Sequence, residues 1–178
     1  MNSTTQPRIG QDKRQRLKQR KKDNDLKLAS WNVRTLLRQG ALRTLTDTLK
    51  KAKLDITAIQ ETRWPEKNLL KGKGYTLYYS GNDCSKRREF GTGFVVCGKA
   101  RDAVIAFNPI NERICTLRVR TKFLNLTLIN VHAPTEEKTD EVKDVFYEKL
   151  LSTYRAAPGH DIKIVLGDFN AKVGQETI

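Results

Sequence analysis

The chain has 178 residues, 34 of them Lys or Arg against 20 Asp or Glu, for a formal net charge of +14 at neutral pH. That length suits one domain. No apolar run approaches the roughly 20 residues of a membrane-spanning helix, and Met1 leads into polar, basic sequence instead of a signal-peptide core, so neither a membrane nor secretion is expected. Three cysteines, Cys84, Cys97 and Cys115, are an odd number without C-x-x-C spacing. This argues against a disulfide framework or a zinc knuckle and for a reduced cytosolic or nuclear compartment.

The charge is concentrated at the start. Arg8, Lys13, Arg14, Arg16, Lys18, Arg20, Lys21 and Lys22 stand against Asp12 alone, so residues 1–22 carry +7, half of the total. With Met1, Ile9 and Leu17 as its only large apolar residues, this segment cannot bury enough surface to fold by itself, and a disordered arm over residues 1–25 is expected. Its QDKRQRLKQRKK tract suits a nuclear-localisation signal or a phosphate-binding tail, since clustered Lys and Arg displace counterions from a polyanion without reading its sequence. A merely solvated terminus is the competing reading. The remaining +7 independently favours an anionic partner such as nucleic acid.

From Leu26 onward short apolar runs alternate with amphipathic segments. KLASWNV (27–33) reads as a buried strand, and Leu42, Leu45, Leu49 and Ala52 then recur as a helix face requires. LDITAIQE (54–61) is the next strand. After a loop around Pro65 and a KGKG turn come strands at 75–80, 92–97, 103–107 and 112–120, separated by Gly, Asn and Pro. LNLTLINV (124–131) alternates Leu124, Leu126 and Leu128 with Asn125, Thr127 and Ile129. A second helix is expected over 140–156, with Thr139 as its cap and Val142, Val145, Phe146, Leu150 and Tyr154 buried. The strand DIKIVLGDFN (161–170) follows. Helices around many strands indicate an α/β layered fold.

Several strands end in residues that carry chemistry. Asn32 ends the first, Gln60 and Glu61 the second, Asn130 and His132 the long one, and Asp168 with Asn170 the last. Taken singly these have plain readings: an Asn after a strand and the GDFN sequence as turns, Glu61 as a solvated charge, His132 as a hydrogen-bonded core histidine. As a set they favour a site, because strand ends beside loops are where α/β folds build one. Carboxylate and amide oxygens are hard donors suited to Mg²⁺ or Mn²⁺.

LASWNVRT, ITAIQET, GTGFVV, LINVHAPT and IVLGDFNA, in this order, resemble the endonuclease/exonuclease/phosphatase superfamily, with the deoxyribonuclease-I-like fold. Within it the wording is nearest to the apurinic-type endonuclease domain of non-LTR retrotransposons and to craniofacial development protein 2-like proteins. The resemblance spans about residues 26–176 and implies a four-layer α/β/β/α sandwich. It also implies Mg²⁺-dependent (or Mn²⁺-dependent) hydrolysis of DNA phosphodiesters. Glu61 would be the principal metal ligand, with Asn32 helping to hold the metal-bound phosphate. His132, where apurinic-type enzymes carry Tyr, would donate to a phosphate oxygen or act as a general acid. Asp168 would orient or deprotonate the attacking water, and Asn170 would stabilise the developing charge. Gly91 and Gly93 would permit a tight strand entry.

Two departures alter this expectation. Arg34 stands where the apurinic-type pattern has an acid, exchanging an auxiliary metal ligand for a phosphate-contacting cation. After GDFNAKVGQETI the family ordinarily continues to a late acid and a terminal histidine, so residues 26–178 read as the N-terminal two-thirds of the domain. Most of one sheet and only the opening strand or so of an incomplete second sheet are then expected, with impaired catalysis. DNA, or RNA, is the expected partner, and there is room for a protein covering the incomplete sheet. Two alternatives stand beside the endonuclease: a non-catalytic nucleic-acid-binding remnant, and another phosphodiesterase or phosphatase on the same fold.

Overall fold

The computed structural model describes residues 25–85 and 89–171. The basic arm, including Lys13, Arg14, Arg16, Lys18, Arg20, Lys21 and Lys22, lies outside the described residues. Strand β1 (Leu28–Asn32) leads through helix α1 (Ala41–Lys51) to β2 (Ile56–Gln60), followed by β3 (Lys67–Gly72), β4 (Tyr75–Ser80) and β5 (Thr92–Cys97). A 3₁₀ turn at Gly98–Ala103 precedes β6 (Val104–Pro109), β7 (Ile114–Val119) and β8 (Leu126–His132), and helix α2 (Asp140–Ala156) returns the chain to β9 (Ile162–Asp168). The strands form a five-stranded sheet in the order β1-β2-β5-β4-β3 and a four-stranded sheet in the order β6-β7-β8-β9.

Each sheet contains one parallel pair, β1 with β2 and β8 with β9, while the other pairs are antiparallel. A parallel pair needs a crossover, and in both cases that crossover is a helix, α1 or α2. Three apolar clusters mark the three contacts between four layers. Leu45 and Leu49 of α1 meet Ile59, Leu77 and Val95; Ile56, Ala58, Phe94 and Val96 of one sheet meet Cys115, Leu117 and Leu128 of the other; Ile114, Ile129 and Val131 meet Phe146 of α2. The protein is therefore an α/β/β/α sandwich with two mixed sheets. Burial between the sheets pushes the Cys115 thiol up to about 12, which makes it a core group and not a nucleophile.

The structure corrects four expectations. The second sheet has four strands, not an opening one: β6, β7 and β8 form an antiparallel meander and β9 pairs in parallel with β8. Strand β3 occupies the stretch read as loop and turn. It is an edge strand with Lys67 to Lys71 exposed, so it shows no burial alternation, and its register with β4 is set by main-chain bonds. Strand β8 begins at Leu126, leaving Leu124 exposed, and is buried at every position because sheet one covers one face and α2 the other. On α2, Phe146 and Thr153 are buried and Leu150 is half-buried, whereas Val142, Val145 and Tyr154 are exposed. Thr139 stands at the N-cap, where its carbonyl accepts from the Val142 and Lys143 N–H groups, while its side chain makes no capping bond.

Candidate functional site

Parallel pairing puts the C-terminal ends of β1 and β2 side by side in one sheet, and those of β8 and β9 side by side in the other. Asn32, Glu61, His132 and Asp168 stand at these four ends. Asn32 Nδ2 donates to Glu61 Oε1 at 2.7 Å and to Asp168 Oδ2 at 2.8 Å, although 136 residues separate it from the latter. His132 Nε2 lies 3.9 Å from Glu61 Oε1, and ligand atoms of Glu61, His132 and Asp168 all fall within 4.8 Å of one another.

Two turns of the same kind hold the Asp168 carboxylate and the Asn32 amide. The Arg34 N–H donates to Asn32 Oδ1 at 2.9 Å and the Asn170 N–H to Asp168 Oδ1 at 3.0 Å, with Arg34 and Asn170 both in the left-handed region at φ 60° and 48°. These are Asx turns, so the plain reading of both residues and the site reading hold together. Glu61 and Arg63 also have positive φ, 56° and 58°, and Arg63 Nη2 reaches Glu61 Oε2 at 3.3 Å. Gly91 makes room here: at φ 120° a Cβ would collide with the Thr62 hydroxyl, and at Gly93 one would strike the Tyr78 carbonyl.

The first Asx turn also fixes the orientation of Asn32. A main-chain N–H can only donate, so the amide oxygen faces Arg34 and both N–H hydrogens face the carboxylates. As placed, Asn32 is a bridge between Glu61 and Asp168, with its oxygen turned to the Arg34 N–H. The Asn170 amide donates to the Ala133 carbonyl at 2.7 Å, which ties the β9 loop to the end of β8. The Arg34 side chain is exposed.

His132 is buried, and its Nδ1 has no hydrogen-bond partner. Burial lowers its pKa below the usual imidazole value and the nearby Arg113 cation adds to that, against the opposing pull of Glu61 and Asp168, so the ring is neutral at pH 7. Arg113 also grips the His132 main chain, accepting from its N–H at 2.8 Å and donating from Nη1 to its carbonyl at 3.1 Å. The Arg113 guanidinium lies 3.9 Å over the Phe90 ring.

Beneath the site a buried latch joins the two sheets. Gln60 Nε2 donates to Asn130 Oδ1 at 2.7 Å, and Asn130 Nδ2 donates to the carbonyls of Ile59 and Gly93 at 2.9 and 2.8 Å. Neither residue had a role assigned from sequence, though a signal was present: Gln60 shares strand parity with Ile56 and Ala58, and Asn130 with Leu126 and Leu128, so both are polar groups on a core-facing row. Arg113 and Phe90 lie in turns without such a pattern.

Two carboxylates sharing one amide, with a single half-exposed guanidinium nearby, leave excess negative charge that a divalent cation would offset. The donor set of carboxylate oxygens and a neutral imidazole fits a hard or borderline divalent metal.

The α/β/β/α sandwich brings its acidic, histidine-containing cluster together at the strand ends of both sheets. The chain belongs to the endonuclease/exonuclease/phosphatase family, whose model matches residues 29–175. It is 32% identical over 151 residues to craniofacial development protein 2 of Bos taurus, covering 85% of this chain and 25% of that protein, so it spans about a quarter of the relative's length. Among solved structures, the endonuclease domain of TRAS1, a telomere-specific non-LTR retrotransposon, superposes with a TM-score of 0.59 at 20% identity, over 84% of this chain and 61% of that one. The 3′ phosphatase NExo from Neisseria, bound to product DNA hairpin, gives 0.61 at 19% identity over 82% and 58%. These likenesses show the fold.

Proposed function

We propose that the chain carries a metal-dependent phosphodiesterase site acting on DNA, of the endonuclease type found in retroelements. The observation that carries this reading is the Asn32 amide holding Glu61 and Asp168 together, with His132 facing them. Net charge and DNA-bound or DNA-cutting structural neighbours support a polyanionic substrate.

Glu61 and Asp168 would hold Mg²⁺ or Mn²⁺, which when bound supplies neutralisation of the phosphate charge. Asp168 Oδ2 takes the proton of the attacking water, its other oxygen being fixed by the Asn170 N–H. The neutral His132 donates a hydrogen bond to a phosphate oxygen and does not deliver a full positive charge. Asn32 keeps Glu61 and Asp168 aligned through its two N–H groups, and Asn170 keeps the Asp168 loop in place. Arg63 and Arg34 balance phosphate charge at the rim. The basic arm adds sequence-independent affinity and favours nuclear residence.

Slow turnover is expected, because among the described residues Asp168 serves as the base while the neutral His132 is the only imidazole placed to assist the leaving oxygen. The test is nicking of supercoiled plasmid with Mg²⁺ and with chelator. Metal-dependent nicking that disappears in Glu61→Gln is expected. Metal-independent nicking, or full activity in that variant, overturns the reading.

A further inference from the structure

On the face of sheet one that points away from sheet two, α1 and the β3–β4 turn enclose an open groove of about 1230 Å³. It lies outside the carboxylate cluster. Its floor is apolar: Leu36, Leu42, Leu54, Trp64 and Tyr75 pack sheet one against α1 and expose their outer atoms to the groove. Its rim is basic, with Arg38, Lys50 and Lys53 on the α1 side and Lys73 on the turn.

Among the described residues the rim charges are not fully cancelled. The lining holds Arg38, Arg43, Lys50, Lys53 and Lys73 against Asp47, which lies 4.0 Å from Arg43, and Asp55, which accepts from the uncharged Lys27 main-chain N–H at 2.9 Å, so the groove keeps a net charge of +3. Among the described residues no ion pair engages Arg38, Lys50, Lys53 or Lys73. The groove thus combines an uncovered apolar strip with a net positive rim, and its volume exceeds the roughly 300–1,000 Å³ typical of small-molecule pockets.

Charge and chemistry narrow the occupant. The N-terminal arm, at +7, is repelled by a basic rim, and so is a second copy of a chain at +14. A nucleic acid would satisfy the rim but would press sugar and phosphate oxygens against leucine side chains that cannot hydrogen-bond them. An amphipathic helix with acidic flanks satisfies both parts, its apolar row on the floor and its carboxylates on the rim. We propose that this groove docks an acidic amphipathic helix of a partner protein, independently of the hydrolytic site.

Trp64 lies in the groove and serves as the reporter once the other tryptophan is removed by Trp31→Phe. The probe is a synthetic peptide of about 16 residues, with Leu and Phe at i, i+3, i+4 and i+7 spacing and Glu between them. Saturable change in Trp64 fluorescence with a micromolar Kd is expected. Arg38→Glu/Lys73→Glu, two exposed positions, should weaken binding at least about tenfold with an unchanged Tm, and Lys50→Gln about twofold to fourfold. Glu61→Gln should bind the peptide as the unaltered chain does. Three results overturn the proposal: no saturable binding, equal binding of a scrambled peptide whose apolar residues no longer share a face, or displacement of the peptide by a single-stranded oligonucleotide of equal charge.

Discussion

Strands β8 and β9 carry an acidic cluster at each end, and the two clusters are built on opposite terms. At the end where the strands begin, Asp161 is buried and all but saturated: Arg118 donates to it from Nε at 2.8 Å and from Nη2 at 3.0 Å, and the Thr127 hydroxyl donates at 2.7 Å. At the end where they finish, Asp168 and Glu61 share a single amide, and among the described residues the one guanidinium paired with either of them, that of Arg63, meets Glu61 at 3.3 Å. One carboxylate has every partner it can use, while two others are pressed together with too few. A saturated acid closes a structure; an under-neutralised pair is poised for a cation from outside. The Arg118 fork accordingly holds the Asp161 carboxyl below the usual range.

The largest test of this contrast is metal binding itself. Mg²⁺ at a hundredfold excess over its Kd should stabilise the native chain by about 2.7 kcal/mol, read as a rise in Tm, because it binds the folded form alone. Glu61→Gln and Asp168→Asn should abolish the rise, and Asp161→Asn should leave it intact. A rise that survives loss of Glu61 would place the cation elsewhere.

The next effect concerns the latch beneath the site. Asn130→Leu leaves one Gln60 N–H without its acceptor, the other still reaching Ser30, and takes one donor from each of the Ile59 and Gly93 carbonyls, at about 1–3 kcal/mol for the buried N–H left unpaired. Urea unfolding should show this loss. An equal urea midpoint would mean that the two sheets do not depend on the latch.

At the saturated end the signature is acid sensitivity. A carboxyl with a depressed folded pKa binds protons more readily when unfolded, so its contribution is fully present above the unfolded value near 3.9 and is lost as pH falls through the lower folded value. Asp161→Asn should lower Tm by several degrees at neutral pH and flatten its fall below about pH 4. A parallel fall in both proteins would assign acid unfolding to other carboxylates.

How much of this was legible in advance depends on what each feature rests on. Strand ends were legible: Glu61, His132 and Asp168 each follow an apolar run, and position along a strand is local information. Partnership was not. Strand patterning tells which face a residue occupies but not which strand lies beside it, so β6 to β8 could not be assigned to a second sheet. For the same reason the Gln60–Asn130 latch, which needs β2 opposite β8, was invisible despite its telling parity. The exposed edge strand β3 carries no alternation to read. Val142, Val145 and Tyr154 matched helical periodicity but stand outside the narrow line along which α2 touches its sheet, where Phe146 alone is a large buried side chain. The orientation of Asn32 depends on a left-handed Arg34, a conformation a non-glycine residue does not advertise.

The smallest expected effect separates the two histidines that β8 and β9 bring to their opposite ends. His160 sits in the turn before β9, its side chain 73% exposed, with Nε2 3.5 Å from Asp161 Oδ1 and 3.4 Å from Arg118 Nη2. Both neighbours are already engaged: the Arg118 fork fills the carboxylate geometry, and Thr127 occupies a further lone pair of Oδ2. His160 therefore adds a solvated contact to a completed pair, and His160→Ala should change stability by less than about 0.5 kcal/mol, as surface substitutions do, without altering metal-dependent nicking. His132→Ala is its counterpart at the other end. There the imidazole is buried and faces Glu61, and on the proposed reading its removal should reduce nicking by about 10² or more. If His160→Ala destabilised the chain as much as Asp161→Asn does, the Arg118–Asp161 pair would not be self-sufficient, and the distinction between a saturated and a deficient end would have to be redrawn around the histidines.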